Sequence, residues 1–550
     1  MHTARRAALE KRRQQNQKRS LTFTLGGAAL LVAGGTLAFL LLRGRQPGVE
    51  SIFGVNVTPQ NVLLSFTTST DSDPWRQLEE LGTSELQKSW KDRLSAFEAD
   101  FLTPFKLTYE KDIRPWLGSQ ATLTLLSPAP EDVAQVGANA TVWLLPIRDP
   151  QRAKAVLNQI TPPPVARTYK DVVIQVFKGE GGKTLSTAVI EDKLLVVSNG
   201  DITLNQVIDT YRGGPSLAQT PRFQEALGTI QDNSAFGHLY INLPIATAGI
   251  LQNAGRNFSA SNLERLQAIQ GLGATISITG DGLKLNSISW LKPDAKAKLK
   301  TLNAPQSLAR LLPEDTVLMT AGASFQQAWQ DYSTGTEAQL VVPFNPRKIQ
   351  SDVQKSTGMD FEKEFVSWMS GEFVAAVVPT ADQEKQGVGL LLLAKARDRT
   401  QAEASFQKLD AAMRDRYSFL VAKSKVNNRT VTTWKVPPNL PLASHGWLDD
   451  NVAFFTFGGA IADRVTGAVS ASLPSTALFR ATTQTSLNPN DGKFFADLTR
   501  TTALMQNSPL LPKLSPDALK FTQGIEGIGI TSAVQNEWST RYDMVVKLKR

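Results

Sequence analysis

The chain has 550 residues, of which 41% are hydrophobic, and it contains no cysteine. That length and apolar content are sufficient for about two to four domains with buried cores. The lack of cysteine excludes disulfides, thiolate metal sites, iron–sulfur clusters and cysteine nucleophiles.

The net charge of +9 is concentrated at the amino terminus. Residues 1–45 hold nine basic groups and one acidic group, which leaves 50 basic against 49 acidic groups in the rest of the chain. A nearly neutral globular region offers no basic face for a phosphate backbone, so we predict no nucleic-acid partner.

An uncharged apolar run extends over residues 21–42. At about 1.5 Å per residue it can span the roughly 30 Å hydrocarbon layer of a membrane. It ends without the small-x-small site of a cleaved secretory signal. Basic residues are far denser before the run than after it, so the positive-inside rule places the amino terminus in the cytoplasm. We therefore predict a basic cytoplasmic tail over 1–20, a transmembrane helix over 21–42, and an extracytoplasmic region from about Pro47 to Arg550.

Self-similarity at an offset of about 250 residues indicates an internal duplication. The matched pairs are Pro59 with Pro313, Trp75 with Trp329, Tyr109–Ile113 with Phe361–Phe365, Trp116 with Trp368, Glu191-Asp192 with Asp449-Asp450, Ser216-Leu217 with Ser472-Leu473, and Gly271-x-Gly273 with Gly527-x-Gly529. Only 10 residues are Trp, so two Trp pairs in register argue against coincidence. The boundary is predicted between Lys292 and Pro305, which gives one repeat over 50–300 and a second over 301–550.

Extended and helical patterns alternate within the first repeat. Strands are predicted over 62–68, 121–126, 141–147, 172–177, 185–190 and 193–198, and helices over 149–160, 204–212, 221–231 and 262–269. A hairpin over Gly280-Asp281-Gly282 closes the repeat. Hairpins imply antiparallel pairing, so we predict an α+β fold: one N-terminal transmembrane helix, then two duplicated domains with antiparallel sheets packed by helices.

Five large apolar residues recur at helical spacing after Thr83, a suitable N-cap. They are Leu86, Trp90, Leu94, Phe97 and Phe101. Such a stripe faces either the protein core or a groove that binds an apolar molecule. Both interpretations stay open from sequence, and the groove is a candidate ligand site.

Two glycine motifs are better explained by structure than by nucleotide binding. Gly179–Thr184 resembles the end of a phosphate-binding loop, but Phe177 replaces the required upstream glycine and a strand pattern follows, which favours a hairpin loop. Gly271-x-Gly273 and Gly527-x-Gly529 follow predicted helices and precede strands, the reverse of a dinucleotide fingerprint. We interpret them as helix termination and close backbone packing.

The remaining polar candidates carry no recognisable chemistry. The repeated pairs Glu191-Asp192 and Asp449-Asp450 lie between short apolar strands and are interpreted as turns. His2, His238 and His445 show no metal-ligand spacing. There is no Gly-x-Ser-x-Gly nucleophile motif. We predict no catalytic, cofactor-binding or metal-binding residues and no enzyme activity, although a Ser–His–Asp site assembled in space is invisible to such patterns.

The chain resembles a family of uncharacterised single-span envelope proteins from oxygenic photosynthetic bacteria, defined as a domain of unknown function. The resemblance depends on the anchor, on Pro313-Glu314-Asp315-Thr316 with its weaker counterpart at Pro59, on Phe361–Phe365 leading to Trp368, and on the Asp449-Asp450 turn. It implies architecture and localisation, with the bulk of the chain periplasmic or thylakoid-luminal, and it carries over no catalytic residue.

Three functions follow as hypotheses. The first is a membrane-anchored, non-catalytic binding or assembly protein with unknown protein partners, attached through residues 21–42. The second is a carrier or sensor of an apolar small molecule, a lipid or a pigment, enclosed by the helix stripe and the sheet. The third is a hydrolase.

Overall fold

The computed structural model describes residues 52–126, 140–232, 235–246, 268–296, 298–302, 307–334, 346–380, 387–459, 461–467, 471–505 and 522–550. These residues form two compact units, divided between residues 297 and 298. We call them the first and the second unit. The predicted tail (1–20) and transmembrane helix (21–42) lie outside the described residues. Among the helices of the described ranges, none has the length and apolar content that crossing a membrane requires.

The described part of the first unit contains ten strands. They are β1 Val62–Ser69, β2 Gln120–Leu126, β3 Ala140–Pro146, β4 Val165–Tyr169, β5 Val172–Lys178, β6 Thr184–Ile190, β7 Leu194–Ser198, β8 Gly237–Ile241, β9 Ile269–Thr279 and β10 Gly282–Leu291. Neighbouring strands pair antiparallel in the order β4-β5-β6-β7-β3-β2-β1-β8-β9-β10.

The described part of the second unit also contains ten strands. They are β11 Leu318–Gly322, β12 Phe373–Pro379, β13 Val388–Lys395, β14 Leu420–Val426, β15 Arg429–Val436, β16 Leu440–Trp447, β17 Val452–Phe457, β18 Gly492–Asp497, β19 Ile525–Asn536 and β20 Ser539–Leu548. Their antiparallel order is β14-β15-β16-β17-β13-β12-β11-β18-β19-β20. The two units therefore have the same strand order, and their descent from one ancestral unit stays a prediction.

Helices pack on both sheets. In the first unit they are α1 Ser72–Glu79, α2 Ser84–Phe101, α3 Pro150–Gln159, α4 Asp201–Tyr211 and α5 Phe223–Gly228. In the second they are α6 Phe325–Thr334, α7 Pro346–Thr357, α8 Arg399–Tyr417, α9 Ala462–Thr466, α10 Ala477–Thr483 and α11 Leu498–Met505. Each unit also has a π-helical turn, at Tyr109–Ile113 and at Glu362–Val366. The predicted fold class, helices with antiparallel sheets, is confirmed for the described residues.

Local contacts repeat between the units where the sequences match. Pro59 forms an isolated bridge to Ser216, and Pro313 forms one to Ser472. After each π-helical turn a buried Trp indole N–H donates to the carbonyl four residues earlier, at 2.6 Å for Trp116 and 2.8 Å for Trp368. These bonds satisfy the indole donor of a buried ring.

The helix–strand junctions fix which positions are equivalent. The N–H of Arg148 donates to the Trp116 carbonyl at 2.8 Å, and the N–H of Arg397 donates to the Trp368 carbonyl at 3.0 Å. The next residue in each unit, Asp149 or Asp398, caps the following helix with its carboxylate. A capping carboxylate accepts an otherwise unpaired backbone N–H and favours the helix start. The two junctions are therefore the same structure built twice.

The interpretation of the glycine pairs was half wrong. Gly271 and Gly273 lie inside β9, and Gly527 and Gly529 lie inside β19, so they terminate no helix. Close packing is the reason for glycine: a Cβ on Gly273 would overlap Leu227 of α5, and one on Gly529 would overlap the backbone of α10. The predicted helix over 262–269 falls mostly outside the described residues, and Ile269 begins β9.

The hairpin and turn interpretations agree with the structure. Gly179–Lys183 connects β5 to β6, and the N–H of Gly179 donates to the Lys183 carbonyl at 2.8 Å. Glu191 and Asp192 both have positive φ in the turn between β6 and β7. The Asp449 carboxylate accepts the N–H groups of Asn451 and Val452, which closes the turn before β17.

Candidate functional site: two apolar cavities

The first unit contains a cavity of about 520 Å³ between its sheet and two helices. The sheet contributes Trp143, Leu145, Leu185, Thr187, Leu195 and Val197; α3 and the residue after it contribute Val156, Leu157 and Ile160; the π-helical region contributes Tyr109, Ile113 and Trp116; and α2 contributes Lys91, Leu94, Ser95, Phe97, Glu98 and Phe101. The volume falls within the range of about 300–1,000 Å³ that is usual for small-molecule sites.

The second unit contains a cavity of the same size, about 520 Å³. Its sheet contributes Leu392, Ala394, Leu442, Ala453, Phe454, Phe455 and Phe457; α8 contributes Phe406, Leu409, Met413 and Tyr417; the π-helical region contributes Phe361, Phe365, Trp368 and Met369; and α7 contributes Val353, Ser356 and Thr357. Phe419 and Trp434 complete the wall.

The two cavities occupy the same place in the two units. In the first, Leu145 pairs with Leu195 across β3 and β7, and in the second Ala394 pairs with Ala453 across β13 and β17. All four residues line their cavities. Two residues further along β7 and β17 in the same register, Val197 corresponds to Phe455. The same arrangement of sheet, capped helix, π-helical turn and covering helix has therefore produced a partly open apolar cavity twice.

The structure brings three of the five stripe residues to the first cavity. Leu94, Phe97 and Phe101 line it and keep partial exposure. The Phe97 and Phe101 rings lie 5.2 and 6.0 Å from the Trp143 ring of β3. Leu86 and Trp90 are not among its lining residues, and Trp90 is buried. Thr83 caps the helix as predicted, accepting the Leu86 N–H. Ligand binding by the stripe stays a prediction.

Sequence patterns missed the second cavity altogether. Its covering helix, Pro346–Thr357, contributes one large apolar side chain, Val353, to the lining, so no stripe marks it. The signal that was available is the match of Tyr109–Ile113 and Trp116 to Phe361–Phe365 and Trp368, because these segments line both cavities. Transferring the groove hypothesis from the first repeat to the second through the predicted duplication would have located it.

A buried polar group supports the wall of the second cavity. The Trp434 indole N–H donates to Oδ1 of Asp410 at 2.7 Å, and Nε2 of His445 lies 2.9 Å from the same oxygen. The His445 ring stacks on Phe406 at 4.4 Å between centroids. Two rings of the wall, Phe406 and Trp434, are thereby held by a hydrogen-bonded centre that is itself shielded from solvent.

Charged and polar groups are unevenly distributed between the cavities. The lining of the first includes Glu79, Lys91, Glu98 and Glu110, and the Arg114 guanidinium contacts Glu110 at 2.6 Å. That contact raises the pKa of Arg114. The lining residues of the second cavity include no Asp, Glu, Lys, Arg or His. Across the described residues there is no group of three or more His, Asp or Glu arranged to hold a metal ion.

Comparisons with known proteins identify a family whose function is unknown. A family model described as "Protein of unknown function (DUF3352)" matches residues 24–548. No curated protein matches the sequence. Among solved structures, crystal forms III, IV and I of TP0453 align with TM-scores of 0.27, 0.26 and 0.25 at 10%, 10% and 11% identity. The alignments cover 46%, 44% and 46% of this chain and 83%, 82% and 82% of the TP0453 chains. With TM-scores this low, the similarity indicates neither fold nor function.

Proposed function

The chain belongs to DUF3352, a family of unknown function, and we propose that it is a membrane-tethered carrier or sensor of small apolar molecules. The observation that carries the proposal is the recurrence of one apolar cavity, about 520 Å³ in each case, at the same place in two units of the same topology. Both cavities are partly open to solvent, so their apolar side chains stay in contact with water, an exposure that a closely packed core would avoid.

Partial exposure of side chains that line the cavities supports entry of a ligand. In the first unit Leu94, Phe97 and Phe101 are neither buried nor fully exposed, although they are large and apolar. In the second unit Tyr417, at the end of α8, is 44% exposed. An apolar ligand would complete the burial of these side chains at about 25 cal/mol per Å² of apolar surface removed from water.

Localisation belongs to the same proposal. We propose that residues 21–42 anchor the chain, that residues 1–20 are cytoplasmic, and that both units lie in the periplasm or, in a photosynthetic bacterium, in the thylakoid lumen. A tethered binding protein on that side would receive lipids or pigments directly from the membrane. The two cavities favour this role over protein assembly, which the sequence alone placed first.

The test is recovery of an endogenous ligand. The full-length protein is extracted from its own membranes with an amphipathic copolymer, without detergent, and its bound small molecules are quantified by mass spectrometry. We expect a reproducible apolar molecule, up to one per cavity, that is lost from a variant carrying Val197→Phe, Ala394→Leu and Ala453→Leu. These substitutions fill each cavity with a residue that the other unit has at the same position.

The matched control places the same substitutions on the surface. Val165→Phe and Ala404→Leu add the same side chains at exposed positions outside both linings. The control should retain the ligand. Identical small-molecule content in the wild type and the filled variant would overturn the proposal.

A further inference from the structure

The two cavities differ in wall chemistry at equivalent positions. Half of the 24 residues that line the first cavity are Leu, Ile or Val, whereas half of the 20 that line the second are Phe, Trp or Tyr. Leu157 of α3 corresponds to Phe406 of α8, counted from the capping Asp149 and Asp398. Ile113 corresponds likewise to Phe365, counted from Trp116 and Trp368. Aromatic residues of the second cavity therefore replace aliphatic residues of the first at equivalent backbone positions.

The sheet side of the second cavity has two small residues at positions where the first cavity has leucines. Leu145 and Leu195 of the first unit are replaced there by Ala394 and Ala453, which project only a methyl group each. Aromatic rings surround this shallow floor, and ring faces attract other flat π-systems in offset-stacked or edge-to-face geometry. A branched aliphatic wall offers no such preference and suits a flexible alkyl chain.

The rings of the second wall are also held in fixed orientation. Asp410 accepts a hydrogen bond from Trp434 and contacts His445, and His445 stacks on Phe406 with 9° between the ring planes. In the first unit the position of His445 is occupied by Thr187, which pairs with Val197 as His445 pairs with Phe455. A pre-oriented set of rings lowers the entropic cost of binding a rigid ligand.

The linings differ in charge. The first cavity has Lys91 together with Glu79, Glu98 and Glu110 in its lining, so charges of both signs lie beside a lining that is half Leu, Ile and Val. That combination matches an alkyl chain with a zwitterionic head group. Besides the indole N–H groups of Trp368 and Trp434, which have protein acceptors, the polar side chains in the lining of the second cavity are Ser356, Thr357 and Tyr417. This uncharged lining would leave a charged head group unpaired.

We infer that the two cavities bind different classes of molecule. The first binds the alkyl chain of a single-chain zwitterionic amphiphile, and the second binds an uncharged molecule with flat aromatic or conjugated rings. The inference rests on the proposed function and adds the ligand class of each site.

The experiment is photolabelling of the full-length protein in lipid nanodiscs with two probes. One is lysophosphatidylcholine with a diazirine in its alkyl chain, and the other is benzophenone, which is uncharged, carries two rings and is itself photoreactive. Labelled positions are located by peptide mass spectrometry, so partition of a probe into the bilayer does not obscure the site. We expect the amphiphile on first-cavity residues and benzophenone on second-cavity residues.

Exchange variants make the assignment specific. Ala394→Leu with Ala453→Leu should reduce benzophenone labelling of the second cavity at least about tenfold, the effect of 1.4 kcal/mol, and leave amphiphile labelling of the first unchanged. Val197→Phe should reduce amphiphile labelling of the first cavity and leave benzophenone labelling of the second unchanged. The exposed substitution Ala404→Leu should change neither labelling.

The outcomes separate the inference from the proposed function. Saturable labelling of both cavities by both probes, with equal losses in the variants, would overturn the division of ligand classes while retaining apolar binding. Labelling that is not displaced by excess unlabelled probe at either cavity would overturn both.

Discussion

His238 on β8 illustrates how one side chain makes stability depend on pH. Burial lowers the pKa of this imidazole from 6.5 to about 4, partly opposed by the charge of Asp232. The folded state therefore binds fewer protons than the unfolded state between pH 6.5 and 4. Stability contributed by the neutral ring is fully present above pH 6.5 and is lost as the pH falls through this window.

We expect the free energy of unfolding to fall by about 1–2 kcal/mol more between pH 7 and pH 5 in the wild type than in His238→Gln, which has no titrating ring. The lower end is favoured because His238 keeps partial contact with solvent. Chemical unfolding followed by tryptophan fluorescence at both pH values measures the difference. Equal pH dependence in the two proteins would contradict the assignment.

Glu372 shows what a buried charge requires. Its side chain is 2% exposed and accepts the Leu308 N–H at 2.6 Å, the Ser307 hydroxyl at 2.8 Å and the Lys395 ammonium at 2.8 Å. Three donors compensate for the loss of water around the carboxylate, and one of them is a backbone group at the start of a 3₁₀ turn.

Glu372→Ala should destabilise the protein by about 3 kcal/mol, since it leaves the Leu308 N–H without its acceptor and the Lys395 ammonium with the Ser307 hydroxyl in place of a carboxylate. Glu364→Ala is the matched comparison, because Glu364 pairs with Lys408 and is more exposed than Glu372. Its loss should cost no more than about 1 kcal/mol. Both are measured by chemical unfolding of the full chain. Similar losses for the two variants would show that burial of Glu372 is not what matters.

Among the elements, α2 and α8 contrast in how they are held. α2 buries only Trp90, whereas α8 buries Ala402, Ser405, Phe406, Leu409, Asp410 and Met413. Both have side-chain N-caps, from Thr83 and Asp398. Because tertiary packing supplies most of a helix's stability, the cap is a larger share of what stabilises α2.

Loss of a cap costs about 1 kcal/mol, so Thr83→Ala should raise amide hydrogen exchange across Ser84–Phe101 about fivefold. Asp398→Ala should affect Arg399–Tyr417 less, beyond its first turn, because six packed residues keep the helix in place. Hydrogen exchange with mass spectrometry measures both segments in one experiment. A larger increase of hydrogen exchange in α8 than in α2 would contradict the interpretation of α2 as a loosely held cover of the first cavity.

For the whole molecule, the absence of cysteine makes membrane topology directly testable. Gln14→Cys places a thiol in the predicted cytoplasmic tail, and Lys193→Cys places one in the exposed turn between β6 and β7. In sealed vesicles with the extracytoplasmic face outward, a membrane-impermeant maleimide should label only the second. The wild type, which has no cysteine, is the blank. Labelling of Gln14→Cys in intact vesicles would contradict the predicted orientation.

The sequence by itself determined the fold class, because hairpin turns and strand-length apolar runs are local patterns that imply antiparallel pairing. It also determined the α2 helix and its Thr83 cap, and the correspondence of Trp116 with Trp368. The tertiary structure alone decided that Leu94, Phe97 and Phe101 line a cavity while Trp90 is buried, since one apolar stripe serves either purpose. It alone decided that Gly273 and Gly529 lie within strands under a helix. It also brought Asp410, Trp434 and His445 together, because contacts between distant residues depend on strand order and register, which local periodicity does not encode.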